Sequence, residues 1–269
     1  MNCKEAENVM KQYVERGYRT AEEVDTELVE NRRLAEMGLA FAQHNVGLAY
    51  SNGLGVAVDK AEGVRWLKKS AAQGFANAQC SLGHAYSHGD GVPVNTSEGF
   101  KWTKRAAEQG NVIAQCNLGY SYSHGKGVSA DKVESVKWFR KSAEQGDPNS
   151  QNQLGNAYCR SDGVGVDIVE GLKWQKRSAE QGYAIAQSNL GAAYFYGRGV
   201  SVDKVEAVRW YRLAMEQGDA KAQFNLGVAY LHGLGVAVDK VEGMKLVKLA
   251  AKNGFIGAII YLSGPPPGS

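Results

Sequence analysis

The sequence has few of the features that mark an enzyme, a membrane protein or a disulfide-rich domain. Its 269 residues include only 4 cysteines, none closely spaced, so no disulfide framework is expected. There are only 5 prolines, and no apolar run approaches the roughly 18 residues of a membrane-spanning helix. The first residues lack the apolar core of a signal peptide. Because these apolar segments are missing, we expect a cytoplasmic chain without membrane insertion. Because the net charge is only +3, we expect no nucleic-acid partner.

Catalytic and cofactor motifs are also missing. The sequence contains no G-x-S-x-G, no H-E-x-x-H and no G-K-[ST] after a glycine loop. Its recurring G-x-G-V lacks the third glycine and the preceding strand of a dinucleotide site. We therefore expect no enzymatic activity, no catalytic residue and no cofactor.

Two similar segments raise the question of a metal site. They read CSLGHAYSHGDGV at 80–92 and CNLGYSYSHGKGV at 116–128, and helical spacing puts their cysteines and histidines on one face. Zinc needs donors converging at about 2.0–2.3 Å, whereas neighbouring helices pack about 8–10 Å apart. A zinc site is therefore the alternative hypothesis for this face. Its candidate ligands are Cys80, His84, His88, Cys116 and His124.

A period of 36 residues organises the chain. Tryptophan occurs only at 66, 102, 138, 174 and 210, and a tyrosine and a glycine recur at the same interval from Tyr50 and Gly47. Such self-similarity predicts a solenoid, in which each unit buries its apolar face against its neighbours. The predicted units are 42–77, 78–113, 114–149, 150–185, 186–221 and 222–257. We interpret 1–41 as an N-terminal degenerate repeat or cap, and 258–269 as a partial helix followed by a disordered proline-rich tail.

Each unit is predicted to contain two helices, A and B. In the first unit they cover about 42–52 and 60–73, separated by turn glycines that tolerate a left-handed backbone. Asp59 followed by Glu62 is typical of a reciprocal capping box at the start of helix B, and the pattern recurs, with Asn95 in the second unit. The fourth unit has Ser161 in place of the first turn glycine, so we expect its turn to differ.

The unit AQFNLGVAYLHGLGVAVDKVEGMKLVKLAAKNGF at 222–255 resembles the Sel1-like repeat, a relative of the tetratricopeptide repeat, and the resemblance covers 42–257. It implies an all-α fold, a right-handed α-solenoid of helix-turn-helix repeats of 36 residues each. Members of this family resemble adaptors whose A helices line a concave groove. The resemblance therefore implies a scaffold that binds a protein or an extended peptide and assembles a complex, without catalysis.

A helical projection places four helix-A positions opposite the apolar stripe, those of His44, Leu48, Ser51 and Asn52 in the first unit. These positions vary between units, and variation on a fixed scaffold indicates specificity. They are polar and rich in histidine in the first half of the chain, and aromatic or apolar in the second. A flanking amide recurs, which tetratricopeptide relatives use to hold a peptide backbone; the alternative is a bridge between helices. The candidate contacts are Asn117, Tyr120, His124, Gln153, Asn156, Arg160, Asn189, Phe195, Tyr196, Phe224, Asn225 and His232.

Three other recurring features are expected to be structural. The glutamines at Gln43 and its equivalents lie near the packed face, where internal hydrogen bonds satisfy buried amides. The tryptophans are expected in the core. Basic pairs on helix B favour a solvated surface with ion pairs, because Glu108, Glu144 and Glu180 follow four residues after Lys104, Arg140 and Lys176.

Overall fold

The computed structural model describes residues 21–264, and over that range the chain forms 14 helices and no strand. Those of one type, the A helices, are α2, α4, α6, α8, α10 and α12, and each is followed by a B helix. The bounds are α1 Ala21–Glu36, α2 Ala40–Asn52, α3 Lys60–Ala72, α4 Ala76–His88, α5 Thr96–Glu108, α6 Val112–His124, α7 Lys132–Glu144, α8 Pro148–Arg160, α9 Ile168–Glu180, α10 Ala184–Tyr196, α11 Lys204–Glu216, α12 Ala220–His232, α13 Lys240–Lys252 and α14 Ile256–Ser263. The predicted all-α repeat fold is confirmed.

The chain divides into two compact halves, which we call the N-terminal half, Met1–Asp131, and the C-terminal half, Lys132–Ser269. In the first, helix α1 packs through Leu28 and Ala35 on α2, in the manner of a B helix preceding an A helix. In the second, α14 packs on α13 through Ala258 and takes the place of a further A helix. The predicted tail after 264 and the start of the predicted cap lie outside the described residues.

The starts of the B helices α3, α5, α9, α11 and α13 are each held by two hydrogen bonds, as α3 illustrates. The carboxylate of Asp59 accepts from the Glu62 amide at 2.9 Å, while the Asp59 amide donates to the Tyr50 carbonyl, also at 2.9 Å. The predicted cap is confirmed, but its reciprocal half is not formed. Because the cap amide is already bonded to the A helix, the Glu62 carboxylate pairs with Arg65 at 2.7 Å instead.

Glycines allow the A and B helices of the first repeat to cross closely. A Cβ on Gly47 would lie 3.0 Å from the Gly63 carbonyl oxygen, and one on Gly63 would lie 2.7 Å from the Gly47 oxygen. In the fifth unit the Tyr211 ring lies against Gly191 at the same crossing. In the first repeat the A helix therefore contacts the B helix backbone to backbone.

The turn of the fourth unit does not differ from the others, contrary to expectation. Ser161 has φ of +60°, the left-handed conformation that Gly125 and Gly197 adopt at +68° in their own units. It is the single non-glycine residue with positive φ among residues 21–264. Serine thus accepts the strain of a left-handed backbone, about 1–2 kcal/mol, to keep the shared turn.

Three of the five tryptophans are buried in the core, as predicted, whereas Trp66 and Trp102 are half-buried and pack against it. Trp174 on α9 packs against Val136 and Ala143 of the preceding B helix and against Leu154 of α8. The Arg177 guanidinium lies 4.5 Å from the Trp174 ring centroid and covers its outer face. Each tryptophan of this kind joins one unit to the one before it.

The basic pairs of the B helices are satisfied within the surface, in part as predicted. Lys104 lies 3.8 Å from Glu108, and Lys176 lies 3.8 Å from Glu180. The predicted pair between Arg140 and Glu144 is wrong, because Arg140 donates to the Tyr158 hydroxyl at 2.6 Å.

The recurring glutamines are structural, also as predicted. Gln187 is 4% exposed, and its Nε2 donates to the Ala179 carbonyl at the end of α9 at 3.2 Å. Its Oε1 accepts from Gln217 at the end of α11 at 2.9 Å. The same bonds are made by Gln43, Gln79 and Gln151. Each glutamine ties an A helix to the ends of two B helices.

Candidate functional site

The first of the predicted outward positions on helix A is buried, which corrects the face assignment. The side chains in this position are His44, Cys80, Cys116, Asn152 and Ser188, all buried, and Phe224, which is half-buried. His44 shows why: its Nε2 lies 3.2 Å from Ser81 Oγ on the next A helix, and its ring packs edge-on against Phe75. The position therefore fills the space between successive A helices.

Burial lowers the pKa of His44 from 6.5 to about 4, so the folded chain holds it neutral. Between these values the unfolded chain binds a proton that the folded chain does not, so stability is lost as pH falls through 6.5 toward 4. At pH 5 the loss is about 2 kcal/mol relative to pH 8. We expect His44→Asn to remove it, as measured by urea unfolding at both pH values. Cys80→Ala, in the same position of the next unit, should retain the pH dependence; equal slopes for both variants would contradict this.

The candidate metal ligands do not converge. His84 and His88 stack at 4.0 Å between ring centroids, and their nitrogens face other groups: His84 Nδ1 lies 3.6 Å from Asp90 Oδ2, and His88 Nδ1 lies 3.0 Å from the His84 carbonyl. Cys80 and Cys116 are buried in the inter-helix position. Over the described part of the chain, no three histidine, cysteine or acidic side chains are placed to hold a metal ion. The zinc hypothesis thus gains no support.

In the N-terminal half of the chain, three predicted contacts lie on α6. Asn117 and Tyr120 are half-buried, whereas His124 is exposed. The Tyr120 and His124 rings lie 6.0 Å apart, and His124 Nδ1 is 3.1 Å from the Tyr120 carbonyl. These side chains form a small polar and aromatic surface at the C-terminal half of α6.

In the C-terminal half of the chain, amide side chains connect successive A helices. Asn189 Nδ2 donates to Asn152 Oδ1 at 3.1 Å, and Lys221 Nζ donates to Asn189 Oδ1 at 2.9 Å. This is the bridging role that the sequence left open as the alternative to peptide binding. Asn225, in the equivalent position of α12, makes no side-chain hydrogen bond to any residue among 21–264. Its amide is therefore available to a partner, while that of Asn189 is engaged.

Aromatic side chains collect at the end of α10. Tyr196 is 58% exposed and packs edge-on against Phe195 at 5.0 Å between centroids. Below them lies Tyr211 of α11, fully buried, with its ring 6.3 Å from that of Phe195. Lys204 Nζ stands 5.5 Å from the Phe195 ring, and the Arg198 guanidinium stands 5.1 Å from that of Tyr196. The result is an exposed tyrosine ring resting on a half-buried phenylalanine, with two cations beside them.

The remaining predicted residues divide between open surface and packed positions. Arg160 and His232 are exposed at the ends of α8 and α12, and Gln153 is half-buried on α8. Asn156 accepts from Gln175 of α9 at 2.9 Å. Phe224 packs against Phe255 and Tyr261, so α14 covers it. We define the A surface as the exposed or half-buried side chains among these candidates in the C-terminal half, 132–269: Gln153, Arg160, Phe195, Tyr196, Asn225 and His232.

Several side chains beside the A surface escaped the sequence analysis because they lie outside the outward positions of helix A. Tyr211 and Gln175 reach it from B helices, Arg198 from a turn, and Lys221 from the first turn of α12. A signal was present for Lys221, since the equivalent positions in the two preceding units are Asn149 and Ile185. The positions of Tyr211, Gln175 and Arg198 vary from repeat to repeat, so the sequence carries no comparable signal for them.

Comparison with known proteins identifies the family. The Sel1-repeat model matches six consecutive segments, at 40–75, 76–111, 112–147, 148–183, 184–219 and 220–255. The chain belongs to the Sel1-repeat family. Sel1-repeat proteins generally mediate protein–protein interactions, and their fold is typically a non-catalytic scaffold.

Solved structures of similar proteins agree with this family assignment. A protective antigen of uropathogenic Escherichia coli, described as displaying an SLR fold, is 37% identical with a TM-score of 0.81, and the match covers 87% of this chain and 50% of that one. The chain thus spans half the length of that relative. A Sel1-repeat protein from Oxalobacter formigenes is 32% identical with a TM-score of 0.75, over 84% of this chain and 99% of that one. An immunity protein from Pseudomonas aeruginosa, 18% identical with a TM-score of 0.52 over 85% of this chain and 88% of that one, shares the fold.

A search of curated protein sequences gave no match. Among residues 21–264, no helix combines the length and the apolar character required to cross a bilayer.

Proposed function

We propose that the chain is a non-enzymatic adaptor that binds an extended peptide segment of a protein partner on the A surface. The observation that carries the proposal is the exposed Tyr196 ring supported by Phe195. An exposed aromatic side chain on a rigid base is typical of the anchor of a protein interface. The general role of Sel1-repeat proteins in protein–protein interaction supports the same reading.

The structure changes which residues are proposed to contact the partner. Asn225, Tyr196, His232 and Arg160 present polar or aromatic groups to solvent. Asn189 and Asn156 are instead assigned to orienting their neighbours, since other side chains already occupy their amides. In the N-terminal half, the proposed contacts remain Asn117, Tyr120 and His124.

The test is a selection of random peptides, displayed on phage, against the immobilised full chain. We expect peptides that bind the wild-type chain to bind Tyr196→Ala at least about tenfold more weakly, because loss of an interface anchor typically costs about 2 kcal/mol. Tyr196 is exposed, so the unfolding midpoint should not change.

The matched control is Val241→Ala, which truncates an exposed apolar side chain of α13, 82% exposed. This variant should bind the selected peptides as the wild-type chain does. Selected peptides that bind all three proteins equally would remove the A surface as the binding site.

A further inference from the structure

The last helix of the described part of the chain, α14, exposes an apolar face. Ile259 is 45% exposed, and Leu262 is 39% exposed. One repeat earlier, on α12, the equivalent side chains are buried: Gln223 is 4% exposed and Leu226 is 1% exposed. Large apolar side chains of α14 are therefore open to solvent at positions that the preceding A helix keeps closed.

Earlier repeats show what closes this face. A B helix lies on its own A helix and places one large side chain against that A helix and the preceding B helix. Trp174 of α9, for example, packs against Val136 and Ala143 of α7 and against Leu154 of α8. The side chains that fill the same place in other repeats are Trp66, Trp102, Trp210 and Leu246. Two helices of the solenoid thus hold one inserted side chain.

The equivalent place after the sixth repeat is formed but open. Its residues, found by adding multiples of 36, are Met244 and Ala251 on α13 and Leu262 on α14, and we call them the terminal site. Met244 and Ala251 are half-buried and Leu262 is exposed, whereas the three side chains around the tryptophan of α9 are buried. Ser263 occupies the position of Gly227, so α14 also presents a small residue where a B helix crosses.

We infer that the terminal site binds an amphipathic helix of a partner protein, which inserts a tryptophan as the B helices do within the chain. An amphipathic helix that lays its apolar face on a hydrophobic surface is an established mode of recognition. A tryptophan buries a large apolar area, and the terminal site repeats the surroundings that this side chain has elsewhere in the chain. The site lies apart from the A surface, and the inference does not depend on the proposed function.

The chain itself supplies no tryptophan for this place. Its five tryptophans all lie in B helices that pack within their own repeats, namely α3, α5, α7, α9 and α11. In α1, which resembles a B helix, Glu30 occupies the tryptophan position and pairs with Arg33 at 2.6 Å. Docking α1 of a second copy would place this charged pair against Leu262, which is unfavourable. A partner of different sequence is therefore favoured over a second copy.

The test uses a peptide that copies α9, with the sequence DIVEGLKWQKRSAEQ of residues 167–181 and blocked ends. A lactam between Lys176 and Glu180, an exposed pair 3.8 Å apart, keeps it helical, because an isolated helix of this length is marginal in water. The peptide has three acidic and three basic residues, and the lactam removes one of each, so it carries no net charge. A second peptide carries Trp174→Ala.

Affinities are measured by fluorescence anisotropy for the full chain and for Leu262→Lys, Met244→Lys and Leu249→Lys. Leu249 on α13 is the matched control, since it is 38% exposed and is also a leucine. In the first four repeats its position carries a cation over the tryptophan of the same helix: Lys69, Arg105, Lys141 and Arg177. It therefore belongs to the filled place of its own repeat. Circular dichroism compares the helix content of the four proteins.

We expect the wild-type chain to bind the tryptophan peptide, and to bind the alanine peptide at least about tenfold more weakly. Leu262→Lys and Met244→Lys should bind the tryptophan peptide at least about tenfold more weakly than the wild type, because the inserted ring would bury a charge. Leu249→Lys should bind it as the wild type does.

Three results would overturn the inference: no binding by the wild-type chain, equal binding of the two peptides, or unchanged binding by Met244→Lys. The last holds even if Leu262→Lys alters α14, because Met244 lies on α13. Sedimentation velocity of the chain alone tests the second copy as occupant. A wild-type dimer that Leu262→Lys converts to monomer would also overturn the inference.

Discussion

Gly235→Ala should lower the free energy of unfolding of the C-terminal half by roughly 3–5 kcal/mol, while Gly218→Ala should lower it by only about 1 kcal/mol. Both glycines have positive φ, +75° and +87°, so both substitutions carry the strain of a left-handed alanine. They differ in what the new methyl group meets. At Gly235 it would overlap the Lys204 carbonyl at the start of α11, whereas at Gly218 nothing lies within 4 Å.

The overlap at Gly235 involves backbone, so no side-chain rotation can relieve it. The A–B turn of the sixth repeat contacts the first residue of the preceding B helix directly. A methyl group at Gly235 would therefore push the sixth repeat away from the fifth. Urea unfolding of both variants measures the difference. Equal losses of stability would show that the backbone conformation alone, and not the contact between repeats, requires glycine at 235.

Gln187→Leu is expected to cost about 2–4 kcal/mol, although it replaces one buried side chain by another of similar size. It leaves the Ala179 carbonyl, at the end of α9, without the donor it has in the native chain. A buried polar group left without a partner costs about 1–3 kcal/mol, and the bond from Gln217 is lost as well. Thermal and urea unfolding provide the measurement.

Gln217→Ala provides the comparison, because this exposed side chain supplies the second of the two bonds but leaves the first intact. It should cost about 1 kcal/mol. If the leucine variant were no less stable than this one, the glutamine would not be what ties the A helix to the two B helices.

Much of the fold could be predicted from the sequence because its causes are local and repeated. The 36-residue period placed both helices of each unit, and Asp59 and its equivalents marked the start of helix B. The errors occurred where contacts between helices decide. The Asp59 amide bonds to Tyr50 of the A helix, which displaces the reciprocal cap, and Ser161 adopts the conformation of a glycine because the shared turn demands it.

The site was less accessible to sequence reasoning for the same reason. A helical projection assigned His44 and its equivalents to the outer face, because it ignores the next A helix, against which they pack. The projection of one helix also omits side chains that arrive from elsewhere. Lys221 and Tyr211 meet the A surface from a neighbouring first turn and from a B helix, and only the three-dimensional arrangement brings them together.

Site-specific photocrosslinking shows whether a partner segment binds on the A surface. A benzophenone side chain is introduced at position 196 of the full chain and, separately, at position 241 on α13, which is also exposed. Each protein is irradiated with a selected peptide at a concentration near its Kd. We expect the peptide to crosslink to position 196 and not to position 241. Crosslinking at 241 alone, or equally at both positions, would contradict it.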